Sequence, residues 1–319
     1  MSTIAIDTPA NRTTERLTAF LSDIGEQKPI DQFFPRRKAL EVFTKNMKIK
    51  DAGRQVIYPI NSGANPTVKD AADYDTYDPS ASDTALIVTY PMVNKIASLV
   101  VSWEEEREVA GKDHAMYDLI EHKRNVLLNS VLDAQDTDLF AATQTANKIS
   151  SLVPTILGTG AVGGLNQSTD ADWASTVTAS GSFASQGMSD MLNTYTTIAG
   201  QGADPDVIIS RRQEHNFYHL LVDPDVRYAY TPDLVAGRGF RGLEFMGAKW
   251  IYDPKSTSGV IYLVTSENMY LSVDSAGNYD FPPFIEMPLQ RAKISKFAFR
   301  GNLICDRRNS HGKLTGVVA

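Results

Sequence analysis

Residues 242–271 read GLEFMGAKWIYDPKSTSGVIYLVTSENMYL, a series of short apolar runs separated by turn-forming residues. Runs rich in Val, Ile, Tyr, Phe and Trp that are bounded by Gly, Pro, Asn and Ser are typical of β-strands. We therefore predict strands over residues 245–252, 260–265 and 269–273, and we expect the last two to pair with each other.

Helix and strand patterns flank this stretch on both sides. Apolar residues at helical spacing predict helices over residues 186–199 and 211–222, with a buried strand between them at 206–210. Residues 152–185, rich in Gly, Ser, Thr and Ala, predict a loop-rich transition. A long β-rich run over 284–305 leads into a basic tail that contains Arg307, Arg308, His311 and Lys313. This alternation is α/β in character.

Residues 112–142 give the clearest helical pattern in the sequence. Their apolar residues recur mostly three and four positions apart, and neither Pro nor Gly interrupts them. About thirty residues at about 1.5 Å each span roughly 45 Å. We predict that this helix is the spine of an elongated domain.

Two strand-like runs, residues 55–60 and 85–103, enclose a long polar tip. Residues 64–83 of the tip contain five Asp residues and one Lys. A connection of this length without apolar periodicity is unusual inside a compact domain. The pattern predicts a projecting β-hairpin, which is marginally stable on its own.

Residues 1–36 are predicted to be an arm without a core of its own. The arm carries one short apolar stripe at helical spacing, formed by Leu17, Phe20, Leu21 and Ile24. Residues 28–54 contain eight basic and three acidic residues, which indicates either a solvated basic face or a docking surface. The acidic hairpin tip suits the second interpretation, because opposite charges on neighbouring copies attract.

Composition bounds the function classes. The chain has 319 residues, a formal net charge of −7 and 42% hydrophobic residues, which predicts two folded domains or one with large excursions. The acidic balance argues against a general nucleic-acid binder.

The single cysteine, Cys305, excludes an intramolecular disulfide and favours a reducing compartment. No signal peptide or membrane span is recognisable, so we expect synthesis in the cytosol.

The motifs that could carry chemistry are weak. The spacing G-x-G-x-x-G occurs at 158–163 and 237–242, but a loop follows the first and a strand the second, whereas a dinucleotide site needs a helix there. The tip lacks the Gly and Glu of a calcium loop. His215 and His219 lack a third metal ligand, and Cys305 lies in an apolar run. We predict no catalytic residue, cofactor or metal ion.

The order of these parts resembles one family of proteins. An arm, a long two-stranded loop, a spine helix and an α/β domain, with residues 242–271 and the ending RGNLICDRRNSHGKLTGV at 300–317, are similar to the major capsid proteins of tailed bacteriophages. The most specific stretches are 242–253, 259–271 and 301–316. The resemblance implies the Hong Kong 97-like fold, an α+β architecture.

In the terms of this family, the resemblance implies a division of the chain into consecutive parts. They are an N-terminal arm (1–36), a segment leading into the peripheral domain (37–51), an extended hairpin called the E-loop (52–104), the peripheral domain with the spine helix (105–150), the axial domain (151–280) and a return to the peripheral domain (281–319).

The implied function is structural. Copies of the chain are expected to form the pentamers and hexamers of an icosahedral head around double-stranded DNA. We expect either a separate scaffolding protein or assembly without one, together with a portal, and the sequence leaves open whether decoration proteins bind. The expected location is the virion capsid, assembled in the bacterial host cytoplasm. The family also predicts contacts between subunits, for which the candidates are Phe33, Phe34, Arg36, Arg37, Lys38, Lys69, Asp70, Asp73, Asp75, Asp78, Asp83, Glu104, Glu105 and Glu106.

Two features depart from particular members of the family. Some members begin with a scaffolding segment that a protease removes, whereas here the predicted arm begins almost at Met1. Others crosslink an E-loop lysine to an asparagine, but Lys69 has no recognisable partner, and we predict no crosslink. The alternatives are an encapsulin shell of the same fold, a cytosolic α/β enzyme, and a phage portal or tail component.

Overall fold

The computed structural model describes residues 36–51, 53–61, 63–80, 85–108, 113–156, 160–226 and 244–319. The predicted arm up to residue 35, with Phe33 and Phe34, lies outside the described residues. The same holds for Asp83 and for the glycine motif at 237–242.

The described chain forms two compact units. The smaller unit consists of Lys95–Ala134 and Tyr279–Phe299. The larger unit consists of the described residues of Arg36–Asn94, Gln135–Asn278 and Arg300–Ala319.

The secondary structure is mixed. The α-helices of the described residues are α1 (Lys38–Lys45), α2 (Trp103–Glu108), α3 (Asp113–Leu139), α4 (Leu152–Thr155), α5 (Met188–Gly200) and α6 (Arg212–Val226). The β-strands are β1 (Lys48–Lys50), β2 (Gln55–Asn61), β3 (Ala85–Pro91), β4 (Val93–Ser102), β5 (Ala161–Val162), β6 (Leu165–Asn166), β7 (Thr176–Ala179), β8 (Val207–Ser210), β9 (Glu244–Phe245), β10 (Ala248–Tyr252), β11 (Val260–Val264), β12 (Met269–Asp274), β13 (Ile285–Glu286), β14 (Ala292–Cys305) and β15 (Gly312–Thr315).

A six-stranded sheet with the order β7-β15-β11-β8-β10-β9 forms the core of the larger unit. Strand β8 runs parallel to β10 and antiparallel to β11, so Ile208 lies opposite Leu263. Every residue of β8 is buried, as the apolar sequence VIIS predicts for a strand covered on both faces. Met191 and Ile198 of α5 and Tyr218 of α6 pack in the same core. The predicted α/β character is confirmed for this unit.

Two strand predictions in the stretch 242–271 are wrong. Strands β11 and β12 do not pair with each other, because β11 lies between β8 and β15 while β12 lies between β1 and β14 in another sheet. The predicted strand over 245–252 is a β9–β10 hairpin. Its turn residues Met246 and Gly247 both have positive φ, +50° and +84°, the signature of a tight two-residue turn.

The loop-rich transition and the basic tail also differ from expectation. Within 152–185, β7 forms a parallel pair with β15, so a strand was missed there. Most of the basic tail is interior: Arg308 and His311 are completely buried and Lys313 is 5% exposed, whereas Arg307 is exposed. Arg308 and Lys313 donate to backbone carbonyl oxygens, and the His311 ring accepts from the Thr265 N–H, which the charge pattern alone does not reveal.

The smaller unit combines most of β4, α2, most of α3, β13 and residues 292–299 of β14. Strand β14 pairs with β13 and β4. Helix α3 is 27 residues long, about 40 Å at the usual rise, which confirms the long helix predicted over residues 112–142. Tyr279 packs on Phe299 and Phe281 on Phe297, with ring centroids 4.8 Å and 4.9 Å apart.

Strands β2 and β3 form the predicted hairpin, in a register that runs from Gln55 opposite Pro91 to Asn61 opposite Ala85. The base of the hairpin is held by other parts of the larger unit. The Tyr90 hydroxyl donates to the Cys305 carbonyl at 2.9 Å, and the Thr89 N–H donates to the Gly163 carbonyl at 2.8 Å. Gly163 has φ +62°, and a Cβ there would overlap the side chain of Val88.

Within the described residues, no helix combines the length and the apolar character that crossing a membrane requires.

Candidate functional site

The hairpin tip presents carboxylates and aromatic rings to solvent. Asp75 accepts a hydrogen bond from the Ala72 N–H at 3.0 Å, and Asp78 accepts one from the Ser80 N–H at 3.0 Å. Hydrogen bonds from the hydroxyl and amide of Ser80 lower the pKa of Asp78. These two aspartates therefore hold turns within the tip.

The other tip residues do not share this structural role. Asp70 and Asp73 are exposed, and no described residue forms an ion pair with either. Lys69 is also exposed. Tyr74 and Tyr77 are fully exposed, at 103% and 97% of the reference area. An aromatic and acidic surface of this kind is uncovered in the single chain and suits contact with another molecule.

The basic residues of 36–54 have two kinds of environment. Lys38 lies over the ring of Tyr252 at 4.2 Å and Lys48 over that of Tyr270 at 3.6 Å. Lys50 lies 4.4 Å from the centre of the Tyr58 ring. These lysines are stabilised by cation–π contacts inside the chain. Arg36 is exposed, and Arg37 lies half-buried at the start of α1.

Two of the three glutamates at the start of α2 are engaged within the smaller unit. Glu105 accepts from the Ser102 N–H at 2.9 Å, and the Ser102 hydroxyl accepts from the Glu105 N–H at 3.2 Å. This reciprocal pair is a capping box. Glu105 also pairs with Lys123 at 2.7 Å, and Glu106 pairs with Lys293 at 2.6 Å. Only Glu104 of the three is exposed.

The electrostatics of this junction follow from these contacts. Burial raises the pKa of Glu105, but the hydrogen bonds from Lys123 and Ser102 outweigh it and bring the pKa below its ordinary value. The hydrogen bond to Glu106 raises the pKa of Lys293. The acidic run therefore forms the junction between strand β4 and helix α2.

Trp103 is a feature that sequence reasoning missed. It is 42% exposed, and two guanidinium groups lie over its ring, Arg107 at 4.7 Å and Arg291 at 5.3 Å from the ring centre. The Trp103 N–H also donates to the Arg291 carbonyl at 2.9 Å. Leu289, in the loop before β14, is 95% exposed. Exposed Trp and Arg side chains are enriched in protein–protein contacts.

A groove lies between β4 and α3 of the smaller unit. Its volume is about 670 Å³, and it is lined by residues 95–100 and by residues of 122–134. Ile96, Val100 and Val126 on its walls are 84%, 40% and 44% exposed. Apolar side chains so exposed indicate a contact surface rather than a chemical site.

The glycine and histidine motifs do not form a dinucleotide site or a metal site in the described residues. Gly160 and Gly163 belong to the β5–β6 hairpin and do not precede a helix. His215 packs edge-on against the rings of Trp250 and Tyr252, and burial lowers its pKa. In the described part of the chain, no three His, Cys, Asp or Glu side chains could hold a metal ion.

The single cysteine is likewise buried. Cys305 is a free thiol, and burial raises its pKa, so its reactive thiolate form is suppressed.

No protein-family profile matches the sequence. No curated protein matches it either. Solved structures do match. The cyanophage A-1(L) capsid gives a TM-score of 0.71 at 12% identity, covering 95% of this chain and 99% of that chain. The capsid of an empty GTA particle gives a TM-score of 0.60 at 13% identity, covering 94% of this chain and 97% of that chain.

A shell protein of another kind also matches. The holo-SrpI encapsulin complex from Synechococcus elongatus gives a TM-score of 0.59 at 12% identity, covering 98% of this chain and 96% of that chain. At these identities the comparisons establish the fold: the chain has a mixed α+β fold that phage capsid and encapsulin chains share.

Proposed function

We propose that this chain is the major capsid protein of a tailed bacteriophage, a structural subunit without enzymatic turnover. The observation that carries the proposal is the similarity to a cyanophage capsid over 95% of the chain, at a TM-score of 0.71. In this function, copies form the hexamers and pentamers of an icosahedral head that encloses double-stranded DNA. The net charge of −7 suits a container that releases its anionic genome.

The finer architecture belongs to the same proposal. In Hong Kong 97-like terms, residues 1–36 are the arm and 52–104 the E-loop. The peripheral domain consists of residues 105–150 and 281–319, and residues 37–51 lead into it. The axial domain consists of residues 151–280. Support comes from the β2–β3 hairpin with its exposed tip and from the 27-residue helix α3.

Assembly explains the apolar surface that the single chain leaves uncovered. Ile57 and Ile87 on one face of the hairpin are 51% and 61% exposed, while Val56 and Val88 on the other face are buried. A shell buries such surfaces between copies. The sequence candidates that fit these contacts best are exposed and form no side-chain hydrogen bond or ion pair with another described residue: Arg36, Lys69, Asp70, Asp73 and Glu104.

Further partners follow from the same function. A separate scaffolding protein, a portal and decoration proteins complete the head, and the protein resides in the virion capsid after assembly in the host cytoplasm.

An encapsulin-type shell is the second candidate, because an encapsulin matches 98% of the chain. Its TM-score of 0.59 is below the 0.71 of the cyanophage capsid. An enzyme is disfavoured, because the solved structures that match the chain are capsid and encapsulin shell proteins.

Particle size and content test the proposal. We expect the purified chain, with its scaffolding protein co-expressed where needed, to sediment as closed shells of phage-head size that contain no enzyme. Small uniform shells that retain a protein cargo would instead establish the encapsulin function. Subunits that never exceed small oligomers would overturn both.

A further inference from the structure

Basic side chains from two helices surround the ring of Tyr252 at the end of β10. The Nζ of Lys38 in α1 lies 4.2 Å from the ring centre, and the guanidinium carbon of Arg212 in α6 lies 5.6 Å from it. The ring of His215 packs edge-on against Tyr252 at a centroid distance of 5.5 Å. We call Lys38, Arg212 and His215 the basic cluster, and all of it belongs to the larger unit.

The backbone explains why these side chains meet. Arg212 and His215 are three residues apart on α6, and helix residues at this spacing share a face. Helix α1 is fixed beside them, because the Ala39 N–H donates to the carboxylate of Asp253 at 3.2 Å. Asp253 directly follows β10, so this hydrogen bond brings Lys38 to the end of that strand.

The two permanent cations of the cluster are not neutralised. Within the described residues, neither Lys38 nor Arg212 forms an ion pair, and a tyrosine ring carries no net charge. Glu214 is 1% exposed and accepts from the Gly259 N–H at 2.6 Å instead. Glu41, one turn further along α1, is exposed and forms no ion pair with a described residue. Positive charge is therefore concentrated here, although the chain as a whole has a net charge of −7.

His215 responds to this concentration of positive charge. Burial is the main reason why its pKa is low, and positive neighbours lower it further. These neighbours are His219, Lys38 and Arg212. A hydrogen bond with Asn216 acts in the opposite direction, and the two rings of β10 that pack on His215 carry no charge. The cluster thus disfavours a third positive charge until an anion is present.

We propose that the basic cluster binds a phosphate group. A guanidinium presents a planar fork of N–H donors and an ammonium presents a compact charge, and both recur in phosphate sites. A phosphate carrying about two negative charges compensates Lys38 and Arg212 together, whereas one carboxylate compensates only one of them. Protonated His215 then supplies a further N–H donor. The inference goes beyond the proposed function, which assigns no ligand to this surface.

Inorganic phosphate is the first probe. The pKa of His215 is measured by NMR in dissociated subunits of the full chain, in phosphate and in sodium chloride of equal ionic strength. We expect phosphate to raise this pKa by about 0.5 or more, because a nearby anion favours the imidazolium form. The chloride sample corrects for general screening by salt. An equal pKa in the two salts would overturn the proposal.

Matched variants show whether the cluster is responsible. Lys38→Gln/Arg212→Gln should weaken phosphate binding at least about tenfold, because it removes two charge-assisted donors. Lys69→Gln/Lys296→Gln removes the same charge from two exposed lysines outside the cluster and should bind phosphate as the wild type does. Arg212 is exposed, so Arg212→Gln alone keeps the test valid if the double variant does not fold. Equal weakening in both double variants would contradict a specific site.

Duplex DNA is the second probe, and it distinguishes two sources of phosphate. A short labelled duplex that binds the cluster variant at least about fivefold more weakly than the Lys69→Gln/Lys296→Gln variant would assign the site to backbone phosphates. A response of His215 to inorganic phosphate without this difference would assign the site to free phosphate. Absence of both responses would overturn the proposal. Both measurements use dissociated subunits, so their failure leaves the capsid function untouched, and failure of shell assembly leaves them informative.

Discussion

The buried histidine of the C-terminal segment makes the stability of the subunit depend on pH. His311 is completely buried, and its Nδ1 accepts a hydrogen bond from the Thr265 N–H at 3.2 Å. Burial lowers its pKa to about 3, and the nearby Arg308 charge acts in the same direction. A proton on Nδ1 would face the Thr265 donor, so the folded state keeps this ring neutral.

The sign and size of the effect follow from proton linkage. The histidine of the unfolded chain binds a proton below about pH 6.5, whereas the folded one does so only near 3. The unfolded state therefore binds more protons in this window, and stability is lost as the pH falls through it. Each pH unit below 6.5 costs about 1.4 kcal/mol, so from about pH 8 to about pH 5 the loss is about 2 kcal/mol.

A matched variant isolates this contribution. In His311→Asn, the amide oxygen can replace Nδ1 as the acceptor for Thr265, but the side chain does not titrate. Other groups with shifted pKa values, including His215 and Asp253, are present in both proteins. Their contributions therefore cancel in the difference between the wild type and the variant. Urea unfolding of dissociated subunits at the two pH values should show the wild type losing about 2 kcal/mol more than the variant. Parallel losses in both proteins would refute the reasoning.

Three further predictions concern the hairpin and its surroundings. Gly163→Ala should lower the free energy of unfolding by about 2–4 kcal/mol, because the residue has positive φ and the added methyl group would overlap Val88. Gly181→Ala has open space around it and should change the free energy of unfolding by less than about 0.5 kcal/mol. Ser102→Ala should cost about 1 kcal/mol in chemical denaturation by removing a helix cap, and Ser102→Thr should restore most of it. Reversing Asp70 and Asp73 to Lys should reduce shell yield in sedimentation while the melting temperature of the subunit stays within about 2 °C. An equal loss of folding and assembly would show that these aspartates serve the subunit itself.

The parts that were predictable from sequence are those whose signal is local. The long helix α3 and the β2–β3 hairpin follow from periodicity over consecutive residues. The pairing of β11 and β12 was not predictable, because each strand takes its partners from distant parts of the chain. Strand β7 likewise pairs with β15, which lies more than 130 residues further along the chain.

The candidate site shows the same limit. The exposed acidic tip was predictable from its composition, whereas the Trp103 and Arg291 contact joins residues far apart in sequence. The sequence places Arg308 in a basic tail, whereas in the structure its guanidinium is buried and donates to the Thr155 carbonyl at 2.5 Å. Such buried cations bind backbone oxygens at the end of α4, which charge patterning along the sequence cannot show.

Negative-stain electron microscopy of the purified chain tests the central claim most directly. The account predicts closed icosahedral particles of phage-head size, formed by the chain alone or with its scaffolding protein. Monomers or small oligomers under every salt condition, with the scaffolding protein present, would contradict it.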